Sequence, residues 1–128
     1  LSLHDALPIS IYFGSFLNGK ENGQGKKIWP NGQIYEGAFK NGLKHGKGTC
    51  TFSDDQKYIG NFVMGKYDGE GEFTWKDGMK YIGHFKENKI QGKGKWIWPN
   101  GDTYEGDFVD GKCEGYGIET RKDGNKSI

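Results

Sequence analysis

Long apolar runs are missing from this chain, aliphatic side chains are sparse, and neither sign of charge prevails. Without an uninterrupted apolar stretch of roughly 20 residues there is no candidate membrane helix. The balance of 18 Lys and Arg against 17 Asp and Glu leaves a net charge of +1. That removes the bulk electrostatic case for nucleic acid, so a charged partner has to be met patch by patch. The two cysteines, Cys50 and Cys113, are too few for the disulfide scaffold of a small secreted domain and lack the spacing of a metal-binding pair. A cytoplasmic, reducing setting with two free thiols is the expectation. At 33% hydrophobic residues a thick aliphatic core is excluded. A helical bundle is excluded too, because the chain carries 23 glycines and each costs about 1 kcal/mol inside a helix.

What is abundant is glycine and aromatic side chains, and both follow one period. Tyr12, Tyr35, Tyr58, Tyr81 and Tyr104 stand 23 residues apart and each opens a Tyr-x-Gly-x-Phe segment, giving five units over residues 12–126. Glycine recurs at positions 3, 8, 12, 14 and 21 of the unit, and these slots take every glycine in the chain. Two slots are filled otherwise: Asn88 at position 8 and Asp55 at position 21. Asn and Asp tolerate positive φ best after glycine, so positions 8 and 21 read as turns. Positions 3, 12 and 14 read as room for a neighbouring ring.

A period of two places Tyr, Gly and Phe of each opening segment on one face of a strand of about six residues. The stretch Asn41–Gly46 reads as a turn, and the return run Gly46–Phe52 alternates again, with Cys50 and Phe52 on the ring side. Trp29-Pro30-Asn31-Gly32 and Trp98-Pro99-Asn100-Gly101 then reverse the chain. The expected fold is all-β: a single-layer, elongated antiparallel meander of stacked hairpins with about ten strands, advancing about 45 Å at roughly 4.8 Å per strand. Stability has to accumulate from nearest-neighbour stacking.

Units such as Tyr35-Glu36-Gly37-Ala38-Phe39-Lys40-Asn41-Gly42-Leu43-Lys44-His45-Gly46-Lys47-Gly48 resemble MORN (membrane occupation and recognition nexus) repeats, over 12–34, 35–57, 58–80, 81–103 and 104–126. The resemblance implies a rod-like or trough-like sheet. Its members include scaffolds of membranes and cytoskeleton and accessory domains of some lipid kinases and protein methyltransferases. The last unit departs from the pattern, with Arg121 and Lys122 where Trp98 and Pro99 stand, and Ser127 falls where a sixth tyrosine would open a further or degenerate repeat at 127–128. Residues 1–10 resemble the conceptual translation of a sequencing adapter. The segment 1–11 is accordingly read as an unstructured artefact, the chain as a piece of something longer.

Catalysis needs convergent groups, and none is legible. His45 and His84 fall in different units with no nucleophile or paired carboxylate beside them. Gly92-Lys93-Gly94-Lys95 lacks the helix that strengthens a phosphate loop, and Asp54, Asp55 and Asp68 lack the spacing of a calcium loop and read as turn residues. No enzyme activity, cofactor or metal is expected of this segment. The leading reading is a scaffold that binds a protein, peptide or helix partner along an aromatic groove of Tyr35, Phe39, Tyr58, Phe62, Trp75, Tyr81, Phe85 and Trp98. Lys20, Lys66, Lys89 and Lys112 share position 9 and line one edge, a candidate contact for anionic phospholipid that would place the protein peripherally at a membrane or the cytoskeleton. Open sheet edges also invite end-to-end self-association. The alternative is a targeting or regulatory segment of a larger enzyme, such as a phosphatidylinositol phosphate kinase or a methyltransferase. Carbohydrate binding ranks third, because the groove supplies few polar groups beside its rings.

Overall fold

The computed structural model describes residues 9–128; most of the N-terminal segment expected to lie outside the repeats, up to residue 8, falls outside them. Five hairpins follow in order: β1 (Ile11–Leu17) with β2 (Lys20–Ile28), β3 (Ile34–Lys40) with β4 (Leu43–Thr51), β5 (Lys57–Val63) with β6 (Lys66–Thr74), β7 (Lys80–Lys86) with β8 (Lys89–Ile97), and β9 (Thr103–Val109) with β10 (Lys112–Thr120). A short β11 (Lys126–Ser127) pairs with β10, Glu119 opposite Ser127, where the sequence expects a sixth unit to begin. The strands form one antiparallel sheet in sequence order, β1 through β11. The eleven strands among the described residues bear out the expected meander of about ten, and Ile11 already belongs to β1, paired with Ile28.

Turn chemistry explains why the hairpins are tighter than expected. The two residues between paired strands both take positive φ, as at Asn41 (51°) and Gly42 (81°), the type I′ geometry that matches strand twist. Asn41–Gly46 is therefore a two-residue turn followed directly by β4, which also carries His45. Asn88 and Asp55 adopt positive φ, 72° and 70°, as their exchange with glycine implies. The return loops are held alike: the N–H of Trp29 donates to Gln33 O at 2.9 Å, and the side chain of Asn31 accepts from the Gln33 N–H at 2.9 Å.

Position 12 departs from the expectation. Gly46, Gly69 and Gly92 have φ of 99°, 93° and 85°, and no ring lies against the first two. They sit within the register shift of each hairpin, where Gly37 pairs with Gly48 but Phe39 pairs with Lys44. The glycine answers a bulge rather than a ring.

Positions 3 and 14 do serve a ring. The Tyr35 side chain lies over the paired Gly37 and Gly48, and a Cβ at Gly48 would overlap its phenol. The Tyr35 hydroxyl donates to the Ala38 carbonyl at 2.7 Å; Tyr12, Tyr58 and Tyr81 repeat the bond to Ser15, Asn61 and His84. Tyr12, Tyr35, Tyr58 and Tyr81 each also meet the phenylalanine of their own unit and of the next edge-on, as Tyr35 does Phe39 at 5.0 Å and Phe62 at 5.2 Å. The core is this double column, with Tyr35, Tyr58 and Tyr81 fully buried and Phe39, Phe62, Phe85 and Phe108 nearly so.

Two substitutions test these assignments by urea unfolding. Gly71→Ala drives a methyl into the Tyr58 ring and is expected to cost about 2–4 kcal/mol. Met64→Asn relieves a non-glycine residue at φ 48° and is expected to add about 1 kcal/mol.

Candidate functional site

The ring face is built from constant and variable positions. The tyrosine and phenylalanine columns are constant, and the side chains of the return strands beside them change from unit to unit. Position 10 stands opposite the phenylalanine and reads Glu21, Lys44, Tyr67, Ile90 and Cys113. Position 16 stands opposite the tyrosine and reads Lys27, Cys50, Phe73, Trp96 and Glu119. Position 18, at the loop, reads Trp29, Phe52, Trp75, Trp98 and Arg121.

Of the groove residues expected from sequence, Tyr35, Phe39, Tyr58, Phe62, Tyr81 and Phe85 are sealed inside the sheet's own packing, at most 4% exposed. They build the floor and offer a partner almost no surface. Trp75 and Trp98 stay accessible and join residues that the sequence reading left out: Tyr67, Phe73 and Trp96. Ring centroids run Tyr67 to Phe73 at 6.0 Å, Phe73 to Trp75 at 4.6 Å, Trp75 to Trp96 at 5.0 Å, and Trp96 to Trp98 at 6.5 Å. The signal that finds Phe73 and Trp96 is the Cys50 column: the alternation that puts Cys50 on the ring side puts these two there one and two units later.

Depressions flank this row. One of about 520 Å³ is lined by Tyr67, Phe73, Trp75, Ile90 and Lys89 among others, and one of about 410 Å³ by Phe52, Asp54, Tyr67 and Phe73 among others. Tyr67 stacks on Tyr58 at 4.1 Å and fixes the wall between them. The Trp96 indole Nε1 is buried with no acceptor among the described residues.

The face turns polar toward its N-terminal end. Lys27 pairs with Glu21 at 2.6 Å, and that hydrogen-bonded ammonium holds the Glu21 carboxyl below its ordinary range. Lys44 lies over Trp29 at 4.7 Å, Tyr35 at 5.7 Å and Phe62 at 5.8 Å, and Lys27 covers the same indole at 5.4 Å. Burial pulls the Lys44 ammonium down, the Cys50 side chain opposes that, and Lys27 adds to it. Burial pushes the Cys50 thiol up against the pull of Lys44, while Gln33 Nε2 donates to its Sγ at 3.0 Å.

A larger groove, about 1060 Å³, lies on the opposite face over the glycine backbones, beside Phe13, Ile59 and Ile82. Two of its carboxylates are met from within the sheet, Glu36 by Lys26 at 3.3 Å and Glu72 by Lys80 at 3.0 Å, and the His84 ring lies 3.2 Å from Glu70. The lysine edge is also placed. Lys20, Lys66 and Lys112 pair across their turns with Leu17, Val63 and Val109, and Lys89 with Lys86, so exposed lysines and exposed aliphatics share the rim. His45 has a structural task, its Nδ1 accepting the Met64 N–H at 3.2 Å. Cys113 lies in β10, and Asp68 lies in β6 rather than in a turn, where it accepts the Glu87 N–H at 3.3 Å. Both cysteines are free, Cys50 buried and Cys113 exposed. Among the described residues no three His, Cys, Asp or Glu side chains gather as a metal site, and no helix is long and apolar enough to cross a membrane.

The MORN repeat profile matches 12–34, 35–57, 58–80, 81–103 and 104–126, the same five units that the tyrosine–glycine packing defines. The chain belongs to the MORN repeat family. No curated protein matches it. Membership agrees with the hairpin meander and the ring face; on that face of the MORN array, positions 10, 16 and 18 vary from unit to unit.

Alkaline titration tests the burial of the ring floor. Burial raises the Tyr35 and Tyr81 phenols to about 12 and pushes Tyr58 and Tyr67 up as well. A raised value means that the fold favours the neutral phenol. Its stabilisation is complete below the ordinary value near 10 and is lost as pH climbs through about 12. Tyrosinate absorbance should therefore rise together with loss of the sheet's circular dichroism; ionisation of these tyrosines near pH 10 with the sheet intact would contradict the packing.

Proposed function

We propose that this MORN array is a non-catalytic interaction module that holds a segment of a protein partner on its ring face, across Tyr67, Phe73, Trp75, Trp96 and Trp98. One observation carries the reading: a partly buried aromatic row that keeps some open surface runs along the array between two open depressions, on a floor of buried rings that cannot rearrange cheaply. Amphipathic tyrosine and tryptophan suit a half-wet binding surface, and a rigid floor lowers the ordering cost of binding. Matched ion pairs make the larger groove opposite a weaker candidate, since a ligand there has to displace them. The module reads the same whether it stands alone or rides on a catalytic domain, because the five rings of the row come from two neighbouring units of the array itself.

A second reading has its own observation. Leu17, Leu43, Val63, Met64 and Val109 are 42–67% exposed along the rim that carries Lys20, Lys66 and Lys112. Aliphatic and cationic groups on one edge suit the surface of an anionic bilayer, at about 1 kcal/mol per lysine.

The two readings separate on the purified chain. Peptides selected from a random display library on the full chain are expected to bind Phe73→Ala and Trp75→Ala at least about tenfold more weakly, with Lys66→Glu unchanged. The reverse ranking would remove the ring-face site. Sedimentation with phosphatidylserine vesicles at low salt, lost at high salt and absent with phosphatidylcholine, is the outcome expected of the lipid edge; equal recovery from both vesicles removes it.

A further inference from the structure

Positions 10 and 16 alternate along the ring face, because position 16 of one unit neighbours position 10 of the next. The row reads Glu21, Lys27, Lys44, Cys50, Tyr67, Phe73, Ile90, Trp96, Cys113, Glu119. Its centre is apolar, and its N-terminal end carries two cations against one carboxylate. Glu21 is committed to Lys27 at 2.6 Å. Lys44 therefore has no carboxylate among the described residues; only the faces of Trp29, Tyr35 and Phe62 attend it. Ring faces offset part of the cost of taking an ammonium out of water, but a carboxylate does so more fully. Lys27 stands on the same indole and adds a second positive charge beside the first.

We propose that the protein segment bound on the ring face carries a carboxylate side chain that seats at Lys44, with Lys27 behind it, to one side of an apolar block that seats on Tyr67, Phe73 and Trp75. This rests on the ring-face reading and adds chemistry and direction to it. The Lys44 end takes the acidic residue, so the bound segment has one polarity along the array. Lys44 in β4 and Tyr67 in β6 hold the same place in successive units, each opposite its phenylalanine, and are two strands apart, about 10 Å, which is about three residues of extended chain or about seven of helix. The spacing in a bound peptide therefore reports its conformation. Neither cation is supplied by the constant part of the repeat: the same two positions carry Phe73 and Ile90 two units later. The charge is a property of this chain and not of the scaffold.

The library selection tests it with a different readout. Peptides selected on the wild-type chain are expected to carry Asp or Glu at a constant offset from their apolar block. Changing that acid to its amide in the peptide, which leaves the protein untouched, and Lys44→Met in the protein should each weaken binding about tenfold. Selection on Lys44→Glu should replace the acid by Lys or Arg. Peptides that need Phe73 and Trp75 but show no acidic preference, and bind Lys44→Met as tightly as wild type, would overturn the inference and leave the ring-face site standing. Peptides that ignore Phe73 and Trp75 altogether would sink both.

Discussion

A tyrosine ring laid over a pair of glycines is the contact on which the rest of this sheet depends. It requires glycine at both facing positions, since a Cβ at Gly37 or Gly48 would run into the Tyr35 phenol. It satisfies its own hydroxyl on the carbonyl three residues on, so a polar group is buried without cost to the ladder. It also makes each unit incomplete, because the exposed edge of the ring is closed by the phenylalanine of the next. A lone hairpin has neither neighbour, and stability has to be shared along the array. Phe16, at the first strand, shows the difference: it is 61% exposed where its counterparts inside the array are sealed.

This contact divides the ring face into two kinds of residue. The constant columns are consumed by the fold, and the return strands carry what is free to differ. Tyrosine, phenylalanine and tryptophan thus mean different things at different positions of one repeat. At positions 1 and 5 they are core. At positions 10, 16 and 18 they are surface, and in the middle units they converge into one row. The opposite face has more open volume, but two of its carboxylates, Glu36 and Glu72, are answered by lysines of the sheet itself.

How far the sequence could be read is clear at particular residues. Asn88 and Asp55, standing in glycine slots, identified positions 8 and 21 as turns, because only residues tolerant of positive φ can alternate there. Gly46 and its equivalents were misread as room for a ring, because a bulge is a relation between two strands and a period-two count assumes a straight one. The same straight count stopped at Cys50 and passed over Phe73 and Trp96, while it admitted Tyr35 and Phe62 to a groove that their burial closes. Alternation tells which face a ring is on. It does not tell whether the ring lies beneath its neighbours or above them.

The sequence by itself determined the period, the hairpin meander and the face that bears the rings, because these follow from short-range rules of pleat and turn that every unit repeats. Only the tertiary structure decided which rings remain open, and that Lys44 and Lys27 meet over one tryptophan from different units. Exposure and charge pairing are set by what the adjacent strand places alongside, and that neighbour is fixed by register across the sheet rather than by position along the chain.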